Sequence, residues 1–75
     1  MTGHWRTIDA RGLQPPEPFV LTMEALDGLP AGASLLVLLH REPFPLYQVL
    51  DEQGYRRDSR WHDDGTFEIV IHRDR

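Results

Sequence analysis

Three prolines and one glycine fall within the nine residues Ala10-Arg11-Gly12-Leu13-Gln14-Pro15-Pro16-Glu17-Pro18. Neither a strand nor a helix interior accepts such a run. Proline fixes φ and lacks a backbone N–H, and glycine takes positive φ without steric cost. An extended segment must therefore stop before Gly12, and a helix must begin at the far end of the stretch. Proline is tolerated in a first helical turn, where the N–H has no intrahelical partner. Glu17 then sits where negative charge favours the positive end of the helix dipole. The stretch reads as a rigid strand-to-helix connector, and such connectors are also where binding sites collect.

The flanking patterns follow from this punctuation. Trp5 to Asp9 contains the strand formers Trp5, Thr7 and Ile8. Glu17 to Asp27 is helical, with Phe19, Met23 and Leu26 as a core stripe at i, i+4 and i+7. Leu21 falls opposite that stripe and Val20 beside it. Gly28 suits the position just after the helix, and Leu29-Pro30-Ala31-Gly32 forms a tight loop. Ser34 to Leu39 carries Leu35-Leu36-Val37-Leu38-Leu39, an apolar run that predicts a central strand buried on both faces. His40-Arg41-Glu42-Pro43-Phe44-Pro45 is a second proline-stiffened connector. Leu46 to Gln53 is a second helix, with Leu46, Val49 and Leu50 on one face and Gly54 ending it. Tyr55 to His62 alternates and is polar enough for an edge strand. Asp63-Asp64-Gly65 is a turn signal, and Thr66 to His72 alternates again with Phe67, Ile69 and Ile71 facing in.

The order β-α-β-α-β-β predicts an α+β fold, a two-layer α/β sandwich with a four-stranded mixed sheet and two helices on one face. Right-handed crossovers place both connectors at one edge of the sheet. Ligands of open α/β sheets gather at such an edge. Seventy-five residues make a single domain, 1–75, with frayed ends near 1–3 and 73–75. A core of this size contributes about 3–5 kcal/mol.

Composition excludes several chemistries. There is no cysteine, so disulfides, thiolate nucleophiles and persulfide carriers are impossible within this chain. All eight basic residues are arginine, which removes lysine Schiff-base chemistry. The net charge of −4 argues against general nucleic-acid binding. No apolar run approaches the roughly 20 residues of a membrane span. These features, with no hydrophobic signal region in Met1-Thr2-Gly3-His4-Trp5-Arg6, predict a cytoplasmic protein.

Asp9-Ala10-Arg11-Gly12-Leu13-Gln14-Pro15-Pro16-Glu17-Pro18 resembles the opening motif of the TusA/SirA-like sulfur-carrier family, Arg-Gly-Leu, one residue, Cys-Pro, one residue, Pro. The similarity runs on through the helix ending before Gly28, the buried second strand, the Gln53-Gly54-Tyr55 step and the final hairpin. It implies the same two-layer sandwich. The family's sulfur-carrying cysteine falls on Pro15, so the resemblance is greatest to a cysteine-less branch of unknown function with Pro-Pro in place of Cys-Pro. Sulfur transfer is excluded for this chain. The resemblance also implies that helix one aims its N-terminus at position 15, with Arg11 adding positive charge nearby.

Two readings of function follow. One is a non-catalytic binding or regulatory module for a protein or small-molecule partner, using Arg11, Pro15, Pro16, Glu17, His40 and Arg41. The other is a small enzyme, with His40 and Asp9 or Glu17 as acid–base partners, or a ligand- or metal-binding domain using the same residues. His4, His40, His62 and His72 lack the spacing of a zinc motif, although His62 and His72 could meet across the hairpin with His4 nearby. No metal and no cofactor are expected.

Overall fold

The computed structural model describes residues 4–74. Its elements are β1 (Arg6–Asp9), α1 (Glu17–Asp27), β2 (Ser34–Leu39), α2 (Phe44–Glu52), β3 (Arg56–Trp61) and β4 (Phe67–His72). The order is the expected one, and α1 has the expected limits. Helix α2 starts two residues earlier than expected, because Pro43 serves as its N-cap and Pro45 falls in its first turn. Proline needs no N–H there, so residues that read as connector are already helix. Gly12 turns the chain after β1 at φ 83°. Gly28 instead caps α1 at φ −101°, with its N–H donated back to the last turn of the helix.

The sheet order is β1-β2-β4-β3. β1 and β2 are parallel, and β4 is antiparallel to both of its neighbours. β3 therefore runs parallel to β1 and β2, and the C-terminal ends of all three lie at one edge. Register places Leu35 opposite Ile71, Val37 opposite Ile69, and Leu39 opposite Phe67. All six point to one face and are buried there. Ala25 and Leu26 of α1, Leu46 and Leu50 of α2, and Leu29 complete the same core. Both helices therefore cover one face of the mixed sheet, and the architecture is the predicted two-layer sandwich.

Two expectations about burial are corrected. The apolar run of β2 is not buried on both faces. Leu35 and Val37 are inaccessible, whereas Leu36 and Leu38 point to the uncovered face and are half-buried. The inner stripe of α1 is centred on Thr22, Ala25 and Leu26, with Phe19 and Met23 packed at its margin. The small side chains of Thr22 and Ala25 let the helix approach the sheet closely. The buried Thr22 hydroxyl donates to the Pro18 carbonyl at 2.8 Å, so its polarity is satisfied. Leu21, opposite the predicted stripe, is exposed, and so is Val20 beside it.

Within the C-terminal end expected to fray, Arg73 extends the pairing of the sheet. Its N–H donates to Ala33 O at 3.0 Å, and its carbonyl accepts from Gly32 N–H at 2.7 Å. Its guanidinium donates to Leu29 O. Asp74 pairs with Arg56 at 2.8 Å. The fraying expected at 1–3 and at 75 lies outside the described residues.

Candidate functional site

The two proline-stiffened helix starts face each other across the C-terminal ends of β1 and β2. The groove between them has a volume of about 1030 Å³. That is at the upper limit of ordinary ligand pockets, about 300–1,000 Å³. Ala10 and Leu39 form the floor. One wall carries Leu13, Pro15, Pro16 and Phe19, and the other Pro43, Phe44 and Pro45. Leu13 is 37% and Phe44 66% exposed, so both present apolar surface to solvent. The Phe44 ring meets Tyr47 edge-on at 5.9 Å between centroids.

Both walls are built by the same local chemistry. Pro16-Glu17-Pro18-Phe19 opens α1, and Pro43-Phe44-Pro45-Leu46 opens α2. Each has proline at the N-cap and in the first turn, and neither has a side-chain cap. The remaining donors are largely used. Glu17 N–H donates to Gln14 O at 3.0 Å, Phe44 N–H to Glu42 O at 3.1 Å, and Leu46 N–H to Pro43 O at 3.0 Å. The groove is therefore apolar in its walls, and the two helix starts keep only the Phe19 N–H without an acceptor among the described residues, whereas the N–H groups of Gly12, His40, Arg41 and Glu42 in the lining also have none. The Pro15–Pro16 peptide bond is cis.

Of the residues singled out in the sequence, Pro15, Pro16, His40 and Arg41 line this groove together. Glu17 does not line it; it is exposed on the first turn of α1. Arg11 is turned away. Its guanidinium grips Asp9 and reaches Thr66 Oγ1 at 3.5 Å, above a shallow depression on the uncovered face of the sheet. That depression, about 310 Å³, is floored by Leu36 and Leu38 and rimmed by His62, Asp64 and Glu68. Arg11 thus brings no charge to the proline edge.

The Asp9 carboxylate, proposed as a partner of His40, is engaged by Arg11, and the His40 charge also helps to hold it down. Asp9 is held down to about 2, first by the Arg11 side-chain hydrogen bonds and then by the Arg11 backbone N–H. A carboxylate so stabilised is a poor proton acceptor near neutral pH. Among the described residues no hydrogen bond links His40 to Asp9 or to Glu17. Glu42 lines the groove but accepts from the Tyr47 hydroxyl at 3.1 Å. Burial, and then that bond, push the Tyr47 phenol up.

The histidines also separate. His62 contacts Glu68 at 2.9 Å, His72 contacts Asp58 at 3.1 Å, and His4 contacts Ser34 at 2.9 Å. Trp61, just before His62, pairs with Phe67, whereas His72 pairs with Arg56. The two histidines therefore stand at opposite ends of the hairpin, roughly 20 Å apart at strand rise. Among the described residues no group of three or more metal-ligating side chains gathers. No helix among them is long and apolar enough to cross a membrane.

Residues 7–73 match a family model described as an uncharacterized conserved protein, DUF2249. The chain belongs to this family. The crystal structure of a SirA-like protein from Desulfitobacterium hafniense superimposes with a TM-score of 0.82 at 29% sequence identity, covering 93% of this chain and 99% of that one. The DUF2249 chain thus has the SirA-like fold that its opening motif resembles. No curated protein matches it.

Leu13, Phe44 and the Pro43–Pro45 wall were not among the residues singled out. A signal for them exists in the sequence. Pro-x-Pro followed by a bulky apolar residue occurs twice, at 16–19 and 43–46, and each copy follows a strand of one parallel pair.

Proposed function

We propose that this DUF2249 chain is a non-catalytic binding module whose working surface is the groove between the starts of α1 and α2. In this reading it represents a cysteine-less branch of the SirA-like fold, with Pro15-Pro16 standing where the resembled motif has Cys-Pro. It acts in the cytoplasm on a small-molecule partner. The observation that carries the reading is the convergence of both proline-opened helices on one mainly apolar groove. A concave, mainly apolar surface with a few polar groups at its rim is what small-ligand sites consist of. Sulfur transfer needs a thiolate, and the chain has no cysteine.

The test is NMR titration with a panel of neutral aromatic and aliphatic fragments. Shifts should centre on Leu13, Leu39, Phe44 and Leu46, and binders should raise the melting temperature by mass action. Leu13→Asp, at an exposed wall position, should abolish both effects without unfolding the protein. Binding that maps to the uncovered sheet face, or that survives Leu13→Asp, would refute the assignment.

A further inference from the structure

We propose that the ligand of this groove is a small amphiphilic acid, with an apolar body against the proline walls and one carboxylate read by Arg41. The inference rests on the binding-module reading and adds the ligand's charge. It comes from which polar groups the groove still has to offer. Prolines at 15, 16, 18, 43 and 45 have no N–H, and the Glu17, Phe44 and Leu46 N–H groups are bonded within the walls. A phosphate is ordinarily held by several backbone donors at a helix start, and these starts cannot supply them.

Full positive charge in the lining comes from a side chain. Arg41 lines the groove, is exposed, and has no ion pair among the described residues. By contrast Arg11, Arg56, Arg57 and Arg60 are each paired with a carboxylate. The carboxylate that shares the groove lining, Glu42, is engaged by Tyr47 instead. The chain as a whole is negative, at −4, so general attraction does not draw anions to it. One unpaired guanidinium at the rim of an apolar groove is complementary to one carboxylate, which it can hold through two parallel hydrogen bonds. His40 stands beside it in the lining and offers a second polar contact.

The experiment compares four probes at fixed pH and salt: 4-phenylbutyrate, 4-phenylbutanol, 4-phenylbutylamine and inorganic phosphate. Affinities are read by NMR shifts at Leu13, Leu39 and Leu46. Because Arg41 is exposed, the preference should be modest. The acid should bind about five-fold tighter than the alcohol, the amine weaker than the alcohol, and phosphate not measurably. Arg41→Gln should erase the difference between acid and alcohol and leave the alcohol's affinity unchanged. If the alcohol matches the acid, if the preference survives Arg41→Gln, or if phosphate binds as tightly, the carboxylate assignment fails and the groove reading stands. If none of the phenyl probes shifts these residues, the groove reading fails as well.

Discussion

The Arg11 guanidinium closes on the Asp9 carboxylate two residues upstream, Nε to Oδ1 at 2.9 Å and Nη2 to Oδ2 at 2.8 Å. The Arg11 N–H joins them, donating to Asp9 Oδ1 at 3.2 Å. This clasp spans the end of β1 just before the Gly12 turn. It carries the arginine toward the uncovered sheet face, so the proline edge is left with Arg41 as its cation.

The clasp has a pH signature. Asp9 titrates at about 2 when folded and near 3.8 otherwise. A carboxyl depressed by folding contributes stability at pH values above its unfolded pKa. That contribution is lost as the pH falls from about 4 through 2. Asp9 is exposed, so the effect should be small. An NMR titration should find the Asp9 carboxyl midpoint near 2, moving up toward the ordinary value in Arg11→Gln. An Asp9 midpoint that does not respond to Arg11→Gln would show that the clasp does not hold in solution.

The two faces of β2 should respond differently to truncation. Leu35 is fully buried under the helices, and Leu36 is half-open on the other face. Leu35→Ala should cost about 2–5 kcal/mol. Against a total of about 3–5 kcal/mol this largely unfolds the protein. Leu36→Ala should cost about 1 kcal/mol and leave a cooperative urea transition. Equal losses at the two positions would mean that the second face is also covered in solution.

Arg57 ties β3 to α2. Its guanidinium carbon lies 4.3 Å from the Tyr47 ring centroid, and the same group pairs with Asp51. Arg57→Ala should cost about 1 kcal/mol through the lost cation–π contact and packing. Arg60→Ala, which loses a 3.8 Å contact to Glu68 from a side chain that is 69% exposed, should change stability by under about 0.5 kcal/mol. Urea unfolding of the two variants side by side checks the difference, and equal midpoints would contradict it.

Element order was legible because glycine and proline punctuate every junction of this chain. Helix α1 runs over the residues its punctuation indicates. The one-sided burial of β2 was not legible, since five consecutive apolar residues carry no period. Nor was the inner face of α1. Phe19 and Met23 are larger, but close helix-to-sheet packing selects Thr22 and Ala25. At the site, Pro15, Pro16, His40 and Arg41 were placed together by topology alone. Arg11 was misplaced because its partner is local. An acid and an arginine two residues apart at a strand end can pair with each other, and that pairing decides where the guanidinium points.

The same clasp bears on what position 15 would do with a thiol. The resemblance implies a carrier-type site in which a helix start and Arg11 depress a cysteine pKa. Here Arg11 is neutralised by Asp9. Glu17, in the first turn of α1, opposes the helix dipole at close range. The adjacent Glu17 N–H is already donated to Gln14 O, and Pro16 and Pro18 have none. Of the first-turn donors, the Phe19 N–H is left to stabilise a thiolate. Pro15 is exposed and makes no backbone hydrogen bond through nitrogen, so Pro15→Cys should fold, with a loss under about 1 kcal/mol. Its thiol should alkylate with a midpoint close to the ordinary value of about 8.5, matching a control cysteine at Asp74. Adding Asp9→Asn frees Arg11 from its partner and should lower that midpoint. A Pro15→Cys thiol titrating well below the Asp74→Cys control with Asp9 intact would mean that the helix start alone retains the electrostatics of a carrier site.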